Sequence, residues 1–551
     1  MTDHKHHGNN GSRDAGDFLF QGSILAAAGI IVRLIGLFYK VPMTRILGLE
    51  GIGYYNTAYE IYNIGLILSS YSLPLAISKL IAARRIRGQY QDARRVYLCG
   101  LAFGVTVGSI MTLILLFGSR WITSTIFNSP GSALPLAVMA PTVLIFSVMG
   151  IMRGYFQGFG NMVPTSISQV IEQIVHAAVS ILGSYLFLRW FAAAAVPASY
   201  GAAGGTLGTT IGALAALFYL AFLMFRRRGE RAALYQQEQA IAAESWRNVF
   251  IALLMTLTPI VLSQFVYQLS GSVDNSLFGQ LMGAKGLSEK ERMSLLGVYS
   301  GEYRLLTNVP VAIATSLGTS MIPSIVASRA QYDHQAVQHK IRLTIKFNML
   351  IAIPCAVGMG VLAGPIMRLI FNDASPLAAS LLTIGAPAVI FFSLSTVTNG
   401  VLQGVDLMRK SVTHSAISLI LHVALVYVLL EHFNMGVYGL VIGNVTFALV
   451  VCVLNWHAIG KTLHYHQEVK TTFLLPLASA GIMGAAAWAV CTAVTAVTQR
   501  YQLGILISVP LAMILYAVLI IRTGAVTAEE LPDMPFGVRI LRLARKLRIM
   551  R

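Results

Sequence analysis

The sequence predicts an all-α, polytopic membrane protein with about 14 transmembrane helices, built as two parallel six-helix repeats plus two C-terminal helices. Three observations predict it: the apolarity of the chain, the length of its apolar runs, and an internal duplication. Of 551 residues, 56% are hydrophobic and only 11% are charged, and the mean hydropathy is +0.69. Soluble domains carry about 25% charged residues. A chain this apolar cannot cover itself with a water-compatible surface, so lipid is its solvent. In lipid the backbone must satisfy its own hydrogen bonds, which leaves helices or closed barrels. The runs here are continuous over about 20 residues and do not alternate in ten-residue strands, which selects helices.

Taken in order, residues 1–17 are polar and rich in Gly, Asn and His, and are expected to be disordered. His4, His6 and His7 within them read as a solvated tail sooner than a metal site. The first span starts near Phe18 and lacks a small-residue cleavage site after its apolar core, so it is a retained helix. Further spans start near Ile52, Ala93, Ala133, Thr165 and Gly205 and complete an N-terminal bundle over 18–225. A charged, Gly229-containing linker follows over 226–245. Spans from Trp246, Gly297, Gln338, Ala378, Ser411 and Val437 form the second bundle over 246–460. Two more, from Thr471 and Tyr501, occupy 461–522, and 523–551 is a basic tail.

Charge placement orients the chain. Lys and Arg crowd alternate loops, at Arg84, Arg85 and Arg87, at Arg226 to Arg228, at Arg329 and Lys340, and at Arg409 and Lys410. The C-terminal tail adds Arg539, Arg542, Arg545 and Lys546. The intervening loops are poor in basic residues. The positive-inside rule then puts both termini in the cytoplasm of a multi-pass plasma-membrane protein. The net charge of +18 is a topology signal, because it is spread over short loops with no folded domain behind it. Nucleic acid is therefore not an expected partner. Cys99, Cys355, Cys452 and Cys491 sit singly in apolar spans, without metal or redox spacing, and read as small core residues.

The duplication is visible in two stretches, APTVLIFSVMGIMRGYFQGFGNM from Ala140 and APAVIFFSLSTVTNGVLQGVDLM from Ala386. Pro141, Ser147, Gly154, Gln157 and Gly158 recur as Pro387, Ser393, Gly400, Gln403 and Gly404, always 246 positions on, and the same offset carries His176 onto His422. The sixth and twelfth spans share a second pattern, Gly201, Gly204 and Gly208 against Gly436, Gly439 and Gly443, suited to close helix approach. Six helices per repeat is even, so both halves enter the membrane in one sense. In such parallel repeats substrate binds between halves that rock about it.

RLIGLFYKVPMTRILGLEGIGYY from Arg33, SSYSLPLAISKLIA from Ser69, RGYFQG from Arg153, PTSISQVIEQ from Pro164 and EYRLLTNVPVAIATSLGTSMIPS from Glu302 carry a family resemblance. Over about Phe18 to Ile520 the chain resembles the MurJ/SpoVB/YtgP group of the multidrug/oligosaccharidyl-lipid/polysaccharide (MOP) exporter superfamily. The resemblance implies a flippase that moves a lipid-linked cell-wall precursor, lipid II, to the outer leaflet by alternating access. Its partners would be the lipid-linked oligosaccharide, membrane lipids and the cell-wall synthesis machinery. It implies fourteen helices, the last two flanking a groove for the polyprenyl tail. Arg304 matches the group's essential arginine on the eighth helix and Arg33 one on the first. A further arginine of the first helix is replaced by Tyr39 and Lys40, and on the second helix Glu60 is the only charge in its first half.

Arg33 and Arg304 each cost about 2.5–3.5 kcal/mol at a helix centre on insertion scales. Facing a water-filled cavity they can grip a pyrophosphate with two-pronged, permanently charged donors. The competing reading pairs them with Glu60 and Glu302. Arg33, Arg304, Lys40, Glu60 and Glu302 are thus the candidate substrate-binding set. Asp274, where Gly271 and Ser272 can interrupt the seventh span, and Glu172, beside Gln169, Gln173 and His176, are candidates for coupling Na+ or H+, or for pairing with Arg153. The sodium-ligating pattern known from some relatives is missing from the eleventh span, SVTHSAISLILH. No phosphate-binding loop, metal cluster or nucleophile constellation stands out, so neither an enzyme nor a cofactor is expected. The alternatives are a flippase for another polyprenyl-linked precursor, or a MATE-like multidrug antiporter, whose cavity would be acidic and aromatic.

Overall fold

The computed structural model describes residues 10–229, 244–319, 322–405, 407–528, 530–531, 541–542 and 545–546. Among them all regular structure is helical. Among the described residues, twelve helices are long and apolar enough to cross a membrane. Phe117, Phe218 and Leu506 are about 70–80% exposed on them, a liability in water and the expected lipid contact in a bilayer.

Helix α1 (Asn10–Ser69) runs for sixty residues and contains the first two expected spans. They are joined without a loop. Gly48 alone leaves helical geometry, at φ 65° and ψ 176°, a conformation open to a residue without Cβ. Residues 10–17, expected in an irregular tail, begin this helix, while 1–9, with the three histidines, lie outside the described residues. Helices α2 (Leu73–Ile86), α3 (Tyr90–Trp121), α4 (Ala133–Met139), α5 (Pro141–Gly158), α6 (Val163–Trp190) and α7 (Pro197–Arg226) follow. Proline in the first turn starts α2, α5, α6 and α7, where its missing N–H costs nothing.

Two compact units divide the chain, up to Gly297 and from Val298. The expected boundary was the 226–245 linker, of which 230–243 lies outside the described residues. Helix α8 (Trp246–Ala284) belongs to the first unit: Val249, Leu253 and Leu257 join Ile77, Val96, Met149 and Leu220 in one core. Gly271 and Ser272 do not interrupt it, contrary to expectation, and it is one continuous helix. Helix α9 (Glu289–Leu296), opened by a Ser288/Glu291 capping box, closes over the same unit. Its Arg292 donates to the Asn128 carbonyl at 2.8 Å, Glu289 accepts from the Gly131 N–H at 2.8 Å, and Met293 receives the Ser129 hydroxyl at 3.3 Å.

A π-helical stretch, Gly297–Tyr303, whose residues from Val298 on belong to the second unit, leads into α10 (Arg304–Thr319), only 16 residues long. This region, expected as the eighth span, is not among the twelve. Then come α11 (Ile322–Ala330), α12 (His334–Val361), α13 (Ala363–Phe371), α14 (Pro376–Gly385), α15 (Pro387–Gly404), α16 (Met408–Glu431) and α17 (Val437–Leu463). The closing pair is α18 (Leu475–Thr498) and α19 (Tyr501–Arg522). Ile341, Met349, Val401, Cys452, Met483 and Tyr516 share the core, so both added helices pack within this unit.

Candidate functional site

In the first unit α1 positions three of the expected residues. Arg33 is exposed and Lys40 half-buried. The Lys40 ammonium lies 5.6 Å from the centre of the Tyr59 ring, within cation–π range. Tyr59 in turn packs near Tyr55 and Tyr62, with ring centres 6.1 and 5.8 Å away. Glu60, the residue after Lys40's aromatic partner, lies against α8. The Ser272 hydroxyl donates to the Glu60 carbonyl at 3.3 Å, and a Cβ on Gly271 would come within 3.0 Å of both carboxylate oxygens. Gly271 therefore serves close approach to a carboxylate, which is why a glycine stands there in an unbroken helix. Asp274, one turn on, is 1% exposed, and the neighbouring Asn275 Oδ1 finds no hydrogen-bond partner among the described residues.

Glu172 is engaged with Arg153. The guanidinium donates to Glu172 Oε2 at 2.8 Å and to the Ser168 hydroxyl at 2.9 Å, both beneath the surface of the unit. The duplication gives this cluster a counterpart. Arg153, Thr165 and Ser168 recur, 246 positions on, as Asn399, Ser411 and His414. In the second unit Ser411 donates to Asn399 Oδ1 at 2.8 Å, and Asn455 bridges Thr398, Asn399 and His414 at 2.8–3.0 Å. An ion pair in one repeat stands where an amide network stands in the other. Both satisfy polar groups that lipid cannot.

Arg304 opens α10 at the end of the π-helical stretch, and its guanidinium sits 5.9 Å from the centre of the Tyr299 ring. Tyr299 and Tyr303 are fully buried and stacked, 5.8 Å apart. Tyr303 donates to the Gly385 carbonyl at 3.3 Å. The half-buried arginine thus lies against a buried aromatic pair. π-Helical turns recur at functional positions because they re-aim side chains out of the regular ladder. Glu302 is 2% exposed, and its Oε2 finds no hydrogen-bond partner among the described residues.

One feature escaped the sequence reading. Lys346, 1% exposed within α12, grips both oxygens of Glu530 at 2.8 and 2.7 Å. A lysine inside an apolar span was the available signal. At the foot of the first unit, Arg84 and Arg95 both donate to Glu244, whose N–H donates to Asp92 at 2.9 Å, pinning the end of the linker.

A family described as polysaccharide biosynthesis protein matches residues 19–329, and one described as MatE matches 259–428. Stage V sporulation protein B of Bacillus subtilis (strain 168) is 26% identical over 453 residues, covering 82% of this chain and 85% of that protein. The lipid II flippase MurJ of the same organism is 25% identical over 485 residues, covering 85% and 87%. Among solved structures, lipid II flippase MurJ in an inward closed conformation superposes with a TM-score of 0.64 at 14% identity, over 90% of this chain and 98% of that one. An inward-facing multidrug resistance MATE family transporter gives 0.64 at 15% identity, over 79% and 95%. At such identities the structural likeness speaks for the fold.

Proposed function

We propose, from the premise that the chain belongs to the polysaccharide biosynthesis protein family and to the MOP exporter superfamily, that it flips a lipid-linked cell-wall precursor, with lipid II the leading substrate. The family makes it a multi-pass membrane transporter of flippase type and not a catalyst. The observation that carries the substrate reading is Arg304: a half-buried guanidinium braced by Tyr299 at the π-to-α junction. An organic cation would be repelled by that group, so the MATE-like drug reading is disfavoured. A pyrophosphate linking lipid to sugar is the ligand a guanidinium fits. Lys40 and Arg33 of the first unit are the further cations we assign to the path of that anion. Flipping proceeds by alternating access, from the cytoplasmic to the outer leaflet.

Similarity to stage V sporulation protein B, at 26% identity, favours as second reading another polyprenyl-linked precursor. Complementation separates the two. Expression in a strain depleted of its own lipid II flippase should restore growth and wall synthesis if lipid II is carried. Purified protein in vesicles that flips a different polyprenyl-pyrophosphate sugar, while failing to rescue that strain, would give the second reading instead.

A further inference from the structure

The chain leaving α19 stays on the second unit. Val526 and Leu531 are 2% and 4% exposed and share a small core with Leu343 and Leu350 of α12. The Glu530 carboxylate that grips Lys346 is steadied locally. The Thr527 N–H donates to it at 3.0 Å, and the Glu530 N–H donates to the Thr527 hydroxyl at 3.4 Å. Beyond Lys346, α12 carries no further charge, and α19 ends in Arg522. The strap thus joins two helices where their apolar runs give way to charge. Leu541 packs on the same small core, partly buried, whereas Arg542, Arg545 and Lys546 are exposed, and all four are helical. A basic helical segment is therefore tied to one membrane end of the unit, with its cations turned outward.

We propose that this C-terminal segment is a membrane-surface element that binds anionic phospholipid headgroups through Arg542, Arg545 and Lys546. Six of the last thirteen residues are Lys or Arg and none is acidic. The positive-inside rule accounts for their sign but not for their spacing. In the sequence Ile540, Leu543, Ala544 and Leu547 recur at the i, i+3, i+4 and i+7 positions of an apolar stripe. Arg539, Arg542 and Lys546 recur at i, i+3 and i+7, on the other side of the same period. A segment with those two faces settles in the plane of the interface, with its cations among lipid phosphates. Each basic side chain close to an anionic surface adds to the attraction. The docked strap keeps the segment within reach of that surface, so weak individual contacts suffice. A soluble acidic protein is the other class of partner for a basic face. The membrane is favoured because the strap fixes the segment beside the apolar runs and because its second stripe is apolar. The lipid-linked substrate shares the phosphate chemistry, and the test separates it from bulk phospholipid.

Full-length protein with a fluorophore joined to its C-terminus is placed in lipid nanodiscs, with phosphatidylglycerol varied against phosphatidylcholine. Quenching by spin-labelled lipid reports how much of the segment lies on the surface. It should rise with the phosphatidylglycerol fraction and fall in high salt. In Arg542→Gln/Arg545→Gln/Lys546→Gln the ratio of bound to free segment should drop about five-fold for each charge removed. Arg542→Lys/Arg545→Lys, which keeps the charge, should quench as wild type does. Equal quenching in pure phosphatidylcholine and in phosphatidylglycerol discs overturns the proposal, and so does undiminished quenching in the glutamine variant. Loss of quenching in the lysine variant also overturns it, because headgroup attraction needs the charge and not the guanidinium. Absence of quenching at every lipid composition would give the basic face to an acidic protein instead. Quenching in phosphatidylcholine discs that appears only when lipid II is added would give it to the transported substrate.

Discussion

At the scale of single residues, cost identifies role. Arg304→Ala should insert and fold yet lose flipping, with substrate binding weaker by about 1.5–3 kcal/mol, the worth of a charge-assisted hydrogen bond. Arg304→Lys should recover only part, since an ammonium keeps the charge and loses the planar fork. Vesicle flipping and substrate binding, measured on the same preparations, check both. Normal flipping by Arg304→Ala would remove the anion reading. Lys346 and Glu530 make a different prediction. Burial alone would raise the Glu530 carboxyl, but the Lys346 ammonium and the Thr527 N–H outweigh it and hold it below its ordinary value. A lowered carboxyl gives stability that is complete above the unfolded value and is lost as pH falls through the folded one. Thermal unfolding should therefore show Glu530→Gln destabilised at neutral pH, by about 3–5 kcal/mol for a broken buried pair, with the difference shrinking in acid. Glu530→Leu with Lys346→Met should restore much of the loss. Arg304 stood out in the sequence because an arginine inside an apolar run is costly to insert. Glu530 did not, because an acid in a polar tail is ordinary until the fold brings Lys346 to it.

Elements were legible where periodicity and small residues agree. Gly204 and Gly208 of α7 face α6 as the spacing suggested. A Cβ on Gly204 would strike the Gly183 carbonyl, and one on Gly208 the Ser180 side chain. Because the obstacle at Gly204 is backbone, it cannot rotate away. Gly204→Ala should cost about 1–3 kcal/mol through overpacking, and Gly204→Leu should prevent stable assembly, read as lost monodisperse yield in detergent. A Gly204→Leu protein with wild-type yield and melting would contradict the packing. The twelfth-span counterpart divides. Gly443 packs against Val426 and His422, but Gly436 is a cap with φ 52° and open space around it. The motif matched in text while one of its glycines does a turn's work. The expected break at Gly271 failed for a related reason: glycine in a helix signals either a break or a close neighbour, and only the fold reveals the Glu60 carboxylate above it.

For the whole molecule, the orientation expected from loop charge is a proposal that labelling tests directly. Cysteines placed near Arg87, Arg228 and Arg409 should be shielded from impermeant thiol reagents in intact cells, while those near Gly131 and Met435 label strongly. The reverse pattern would invert the direction of flipping. Repeat symmetry located the duplicated helices correctly by a 246-residue offset, yet the compact units divide at Gly297 and not at the linker. Hydropathy and sequence matching see ancestry; packing sees neighbours. That difference sets a timetable for biosynthesis. When the ribosome has completed the first six spans, the Asn128 carbonyl, the Gly131 N–H and the Ser129 hydroxyl still await Arg292, Glu289 and Met293. The nascent chain must add another seventy or so residues, about 4–14 s of synthesis at 5–20 residues/s, before α9 arrives to seal that end. During this interval the insertion machinery holds a bundle with an unfinished lid, and a translational pause there would leave it open to membrane proteases for longer.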